Sequence, residues 1–233
     1  MAKAEAQRTH RRRSSLFGKA LGWPFQLLAI LLVSLVCSII IEWFGMYWGW
    51  WSQPGAEHAR VTMEREMGWL DTEFNRSLLI AEPIEMATMV VGTAYDWLFV
   101  RTGIAGWIEG GDAGRGGWAV TVREYLAAAV FVTLMTLTRV VILLLTSPLF
   151  ALAALVGFVD GLVRRDLRRF GAGRESAFIY HHAKRAVAPV FVVGWILYLS
   201  VPFAVHPNVF LLPNALLFGL MVSVATGSFK KYL

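Results

Sequence analysis

A single cysteine, Cys37, in 233 residues rules out any intrachain disulfide, so any part of this chain that lies in an oxidising compartment folds without staples. Charge is scarce as well, at 16% of residues against 57% that are apolar, and the mean hydropathy is +0.55. That excess of apolar surface is more than one soluble core can bury, and it must face lipid. Catalytic signatures are lacking too. There is no G-x-x-x-x-G-K-S/T nucleotide loop, no H-E-x-x-H, no G-x-S-x-G and no cysteine cluster. The adjacent His181 and His182 would stand about 100° apart on a helix, so they do not form a metal site. The chain is expected to be no enzyme, and to need no cofactor and no metal.

What is present is a series of long apolar runs bounded by charge. Ala20 to Ile41 contains no charged residue, and Glu42-Trp43-Phe44 stands where a signal peptide would carry a small-residue cleavage site, so the run reads as a retained anchor. The first span is placed at 21–44, long enough to cross about 30 Å of hydrocarbon. Before it, residues 1–20 carry Lys3, Arg8, Arg11, Arg12, Arg13 and Lys19 against Glu5 alone, which puts this tail in the cytoplasm by the positive-inside rule. Residues 45–124 are richer in acids and read as a small helical periplasmic domain. Within it Ala56 to Leu79 is amphipathic, with Val61, Met67, Leu70, Phe74 and Leu78 recurring at near-helical spacing. Met86 to Val100 is too short for a comfortable span and contains Asp96, so a buried helix is expected there. Gly110 to Gly117 holds five glycines and reads as a loop.

From Tyr125 to Val159 the only charge is Arg139, and 35 helical residues would extend about 52 Å, so this stretch is one long helix whose span lies near 138–159, kinked at Pro148. Residues 160–185 are again basic and belong inside. Two further spans, 186–205 and 209–227, are joined by the turn residues His206-Pro207-Asn208, and 228–233 end the chain in the cytoplasm. The expected fold is therefore an all-α integral membrane protein of about four transmembrane helices in the bacterial inner membrane, both termini cytoplasmic.

Three features stand out within that frame. Arg139 and Glu42 are opposite charges at the outer ends of apolar runs, and they are expected to form a structural ion pair. Gly45-x-x-x-Gly49 and Gly157-x-x-x-Gly161 match the spacing at which membrane helices pack closely, but in a chain with 21 glycines both are read as chance. Finally, Val163, Leu167 and Phe170 fall on one side of a helix whose other positions are Arg164, Arg165, Arg168 and Arg169, followed by Gly171, Gly173, Arg174 and Glu175. Such a basic amphipathic arm lies on anionic lipid or docks an acidic partner.

The same residues carry a likeness. The run from Gly157 to Lys184, GFVDGLVRRDLRRFGAGRESAFIYHHAK, resembles the signature loop of the integrating conjugative element membrane proteins, and YDWLFVRTG at 95–103 and GSFKKYL at 227–233 resemble that family as well. The resemblance implies an accessory or scaffold component of conjugative DNA transfer by type IV secretion. It also implies a gene near that of the coupling ATPase, and no catalytic residues. Arg164, Arg165, Arg168, Arg169, Arg174 and Glu175 are then the expected contact with the coupling ATPase or the mating channel, with membrane lipid as the other partner and no direct contact with nucleic acid. A small transporter or channel subunit is the alternative. Against it, the spans lack the midplane ionisable groups that a substrate site would need.

Overall fold

In a computed structural model, residues 16–73, 83–110, 117–170 and 177–228 are described. Among them every regular element is helical: α1 Leu16–Trp48, α2 Glu57–Glu73, α3 Pro83–Tyr95, a π-helical turn Asp96–Val100, α4 Ile104–Glu109, α5 Gly117–Phe170, α6 Ala177–Ser200 and α7 Pro207–Gly227. Four stretches are long and apolar enough to cross a membrane: Phe25–Trp48, Gly117–Arg168, His182–Ser200 and Pro207–Gly227. The protein is thus an all-α, multi-pass membrane protein, as its apolar runs require.

Helix α5 is the axis on which the rest is hung. Its 54 residues make a rod of about 81 Å, far longer than the hydrocarbon layer. We call its Gly117 end the upper end and its Phe170 end the lower. It begins eight residues before the expected Tyr125 and passes without a break through Asp160, where the sequence suggested that a span gives way to a loop. Nothing between Val159 and Phe170 interrupts it, because Gly161 is held against α7 and an i,i+4 pair, Arg164 Nε to Asp160 Oδ2 at 2.9 Å, supports this turn. The basic arm is therefore the lower end of α5 rather than a separate helix. Pro148 lies inside the helix.

Around the upper half of α5 pack α1, α2, α3 and α4; α7 packs along the lower half, and α6 is held mainly by α7 and by the lower part of α1. Ala127, Ala128, Val132 and Met135 of α5 meet Leu35 and Ile39 of α1 together with Ala56 and Ala59 of α2. Val130 and Leu134 meet Val91 of α3 and Phe99 of the π turn. Lower down, Ile142, Leu145 and Phe150 are buried with Tyr198 and Leu199 of α6 and Leu211 and Ala215 of α7. The helix expected at Met86–Val100 is present as α3 and the π turn. It is buried on one side only: Ala87, Val91 and Phe99 are covered, whereas Met89 and Trp97 remain 64% and 60% exposed. Part of the glycine-rich loop, 111–116, lies outside the described residues.

Close approach of α5 and α7 depends on small residues. A Cβ on Gly157 would overlap the carbonyl oxygen of Gly219, one on Gly161 would come within 2.6 Å of the Ser223 carbonyl oxygen, and one on Gly219 within 2.8 Å of the Ala153 carbonyl oxygen. The Gly157-x-x-x-Gly161 spacing is therefore a packing motif and not chance, and its counterpart on α7 is the run Ala215, Gly219, Ser223 and Gly227 at every fourth residue. The other pair of glycines serves differently. Gly49, at φ +64°, ends α1 with Trp50 N–H donating to the Gly45 carbonyl at 2.9 Å, a Schellman stop, while Gly45 makes room for the ring of Trp51.

Candidate functional site

Arg139 sits in the middle of α5 with no exposed surface. Its guanidinium meets the carboxylate of Glu66 on α2 in a forked arrangement, Nε to Oε2 at 2.8 Å and Nη2 to Oε1 at 2.5 Å. The remaining N–H groups donate to main-chain carbonyls where α6 ends: Nη1 to Tyr198 at 3.0 Å and to Val201, Nη2 to Phe203 at 3.0 Å. Those carbonyls belong to the last turn of α6 and to the turn beyond it, which have no partner within the helix. Glu66 in turn accepts from the Val205 N–H, and burial pushes its carboxyl above the usual carboxylate range against the pull of Arg139. The Trp69 ring of α2 packs against that of His206, tilted by 50° with centroids 5.1 Å apart, and the Arg139 guanidinium lies 5.5 Å from the centre of the Tyr198 ring. One arginine thus fastens α2, α5 and the α6–α7 turn together.

Glu42 has a different partner. His58 Nδ1 of α2 lies 2.9 Å from its carboxylate, Trp51 Nε1 donates to its main-chain carbonyl at 3.2 Å, and the Trp51 and His58 rings stack in parallel at 4.1 Å. The expected Glu42–Arg139 pair is therefore not formed. Its premise, that each charge needs a buried partner, holds, but α2 runs down the side of α5 and supplies one to each, His58 above and Glu66 two turns below. Sequence reasoning missed Glu66 because the apolar positions taken as the inward side of α2, Val61, Met67 and Leu70, leave it about a quarter-turn away.

At the lower end, Arg164 pairs with Asp160, which also accepts from the Ser223 hydroxyl of α7, and Arg165 lies 3.8 Å from Asp166. Val163, Leu167 and Phe170 are all exposed, Phe170 to 92%. The arm so presents apolar side chains alongside arginines, with Arg168 on the same helix. The side chain of Arg169 and residues Arg174 and Glu175 lie outside the described residues. Among the described residues no group of His, Cys, Asp and Glu could hold a metal.

A long central helix, small-residue packing of two spans and charge pairs that join an amphipathic helix to the span ends define a multi-pass helical membrane protein. Its family is shown by comparison: residues 50–230 match the family model of the IncC plasmid conjugative DNA transfer protein DtrJ-like, and the chain belongs to that DtrJ-like family. Its role lies in conjugative DNA transfer, the coarse part of what the resemblance implied, and the match names this plasmid family rather than the integrating conjugative element membrane family. No curated protein and no solved structure matches the chain.

Proposed function

We propose that this protein is an accessory scaffold of the conjugative transfer apparatus, seated in the bacterial inner membrane with both termini in the cytoplasm, and that the lower end of α5 docks the coupling ATPase of the type IV system. The observation that carries this reading is the arm itself. Val163, Leu167 and Phe170 are exposed on the same turns as Arg164, Arg165 and Arg168, at the end of a helix continuous with the clamp at Arg139. Orientation in a membrane needs only a few positive charges near a span, and does not require arginine in particular. Arginine's planar fork suits carboxylates on a partner, whereas lysine offers a point charge. No catalytic role is assigned to the chain.

The test replaces Arg165, Arg168 and Arg169 by lysine, keeping Arg164 with its partner Asp160. Charge, insertion and attraction to anionic lipid are retained, and the fork is removed. Normal membrane levels with reduced DNA transfer and reduced co-purification of the ATPase are expected. Transfer equal to that of the parent would make the arm an electrostatic anchor and end the docking proposal.

A further inference from the structure

Helices α5 and α7 touch along a line of small residues, and beside that line they leave a groove of about 510 Å³. Gly157 and Gly219 form its floor, because the two main chains come too close there to admit a side chain. Its walls are the exposed side chains of Leu152 and Val156 on α5 and of Leu212, Leu216 and Leu220 on α7. The lining is apolar until the lower end, where it stops at Asp160 and Ser223. Both walls belong to stretches long and apolar enough to cross a membrane.

The dimensions of the groove select what can fill it. From Leu149 to Asp160 it runs about 16 Å along α5 at 1.5 Å per residue, and one leaflet of a bilayer holds about 15 Å of hydrocarbon. Its volume spread over that length gives a cross-section of about 30 Å², whereas a helix about 10–12 Å across fills about 80–110 Å². The groove therefore has the width of a hydrocarbon chain and is too narrow to seat another helix.

The charge beneath the groove is positive. From Asp160 to Phe170 the sequence holds Arg164, Arg165, Arg168 and Arg169 against Asp160 and Asp166. Arg164 stands one turn below the groove's lower end, with its side chain 56% exposed and its Cβ beside Gly227 of α7. Its Nε engages Asp160, which also accepts from the Ser223 hydroxyl, so this carboxylate is already neutralised and the Nη groups of Arg164 are left for an anion.

We propose that the groove is the site of one anionic phospholipid from the leaflet at the lower end, with an acyl chain lying between α5 and α7 and the headgroup phosphate on the Arg164 guanidinium. An apolar tail one leaflet long that ends in negative charge at the interface matches the groove in length, width and charge. Arginine's planar fork suits phosphate, and basic pockets between spans are where anionic headgroups bind.

The full-length protein, purified in mild detergent, mixed with phosphatidylglycerol or phosphatidylcholine and read by native mass spectrometry, should retain one phosphatidylglycerol per chain under conditions that strip phosphatidylcholine. Phosphatidylglycerol should also raise the melting temperature of the parent more than phosphatidylcholine does, as a ligand of the folded state must. Val156→Trp, which puts an indole into the groove, and Arg164→Gln should each weaken retention by at least about tenfold. Leu155→Trp, at an exposed position outside the groove, should leave it unchanged. Equal retention of the two lipids by the parent is ordinary bilayer contact and overturns the proposal. So does a parent that retains neither lipid, or retention that survives either Val156→Trp or Arg164→Gln.

Discussion

Replacing Arg139 by leucine removes one partner of a buried ion pair and leaves the Glu66 carboxylate in an apolar surrounding with only the Val205 N–H to receive it. Stranding a buried charge in this way costs about 3–5 kcal/mol. At about 2–4 °C of melting temperature per kcal/mol for a chain of this size, the variant should melt about 6–20 °C below the parent. Glu66→Leu should cost less, because Arg139 keeps its carbonyl acceptors at the end of α6. Joining the two changes should recover part of the loss, with a coupling of about 0.5–3 kcal/mol. Glu42→Leu combined with Arg139→Leu should instead be additive within about 0.5 kcal/mol, since the two residues have separate partners. Tryptophan fluorescence during heating of the purified protein in detergent or nanodiscs reads these four variants and the single Glu42→Leu that the second cycle requires. Coupling of Arg139 to Glu42 and none to Glu66 would refute the placement of α2 along α5.

Gly157→Ala drives a Cβ into the Gly219 main chain and should destabilise the α5–α7 contact by about 1–3 kcal/mol, whereas Gly92→Ala, with open space around it, should be neutral or stabilising in the same melting assay. Gly45→Ala should displace the Trp51 ring from α1 and shift the emission of that tryptophan, which a Trp51→Phe background will identify. With Cys37 replaced, a cysteine at Ser176 should be shielded from an impermeant reagent in intact cells and labelled in lysed ones; labelling in intact cells would reverse the sidedness proposed for the arm.

The number of spans was legible because the long apolar runs are set apart by charge or, between the last two, by the turn residues His206-Pro207-Asn208. Contacts between helices were not legible to the same degree. The partner of Arg139 depends on how far α2 descends along α5, a tertiary distance that no local pattern contains. The sequence pattern centred the inward side of α2 on Val61, Met67 and Leu70, while the buried positions are Ala59, Thr62, Glu66 and Leu70, about a quarter-turn away. That small rotation decides whether Glu66 faces water or Arg139. The α5–α7 packing could have been read by setting Gly157 and Gly161 beside Gly219, Ser223 and Gly227, since close packing requires small residues on both helices. Treating one helix at a time made the spacing look accidental.

A buried ion pair is weak evidence for stability, because well-packed apolar residues of similar size often do as well. Holding Glu66 and Arg139 together must therefore accomplish something that leucine and methionine would not. Their hydrogen bonds supply it: Arg139 reaches the carbonyls of Tyr198, Val201 and Phe203, and Glu66 the N–H of Val205, so the pair fixes main-chain groups on both sides of the turn between α6 and α7. Apolar replacements could fill the space but could not specify where that turn sits along α5. The double variant Glu66→Leu with Arg139→Met separates the two roles: melting above that of Arg139→Leu alone, with faster proteolysis or hydrogen exchange across residues 201–206, assigns the pair to position rather than to stability, and unchanged protection of that turn would reject the assignment.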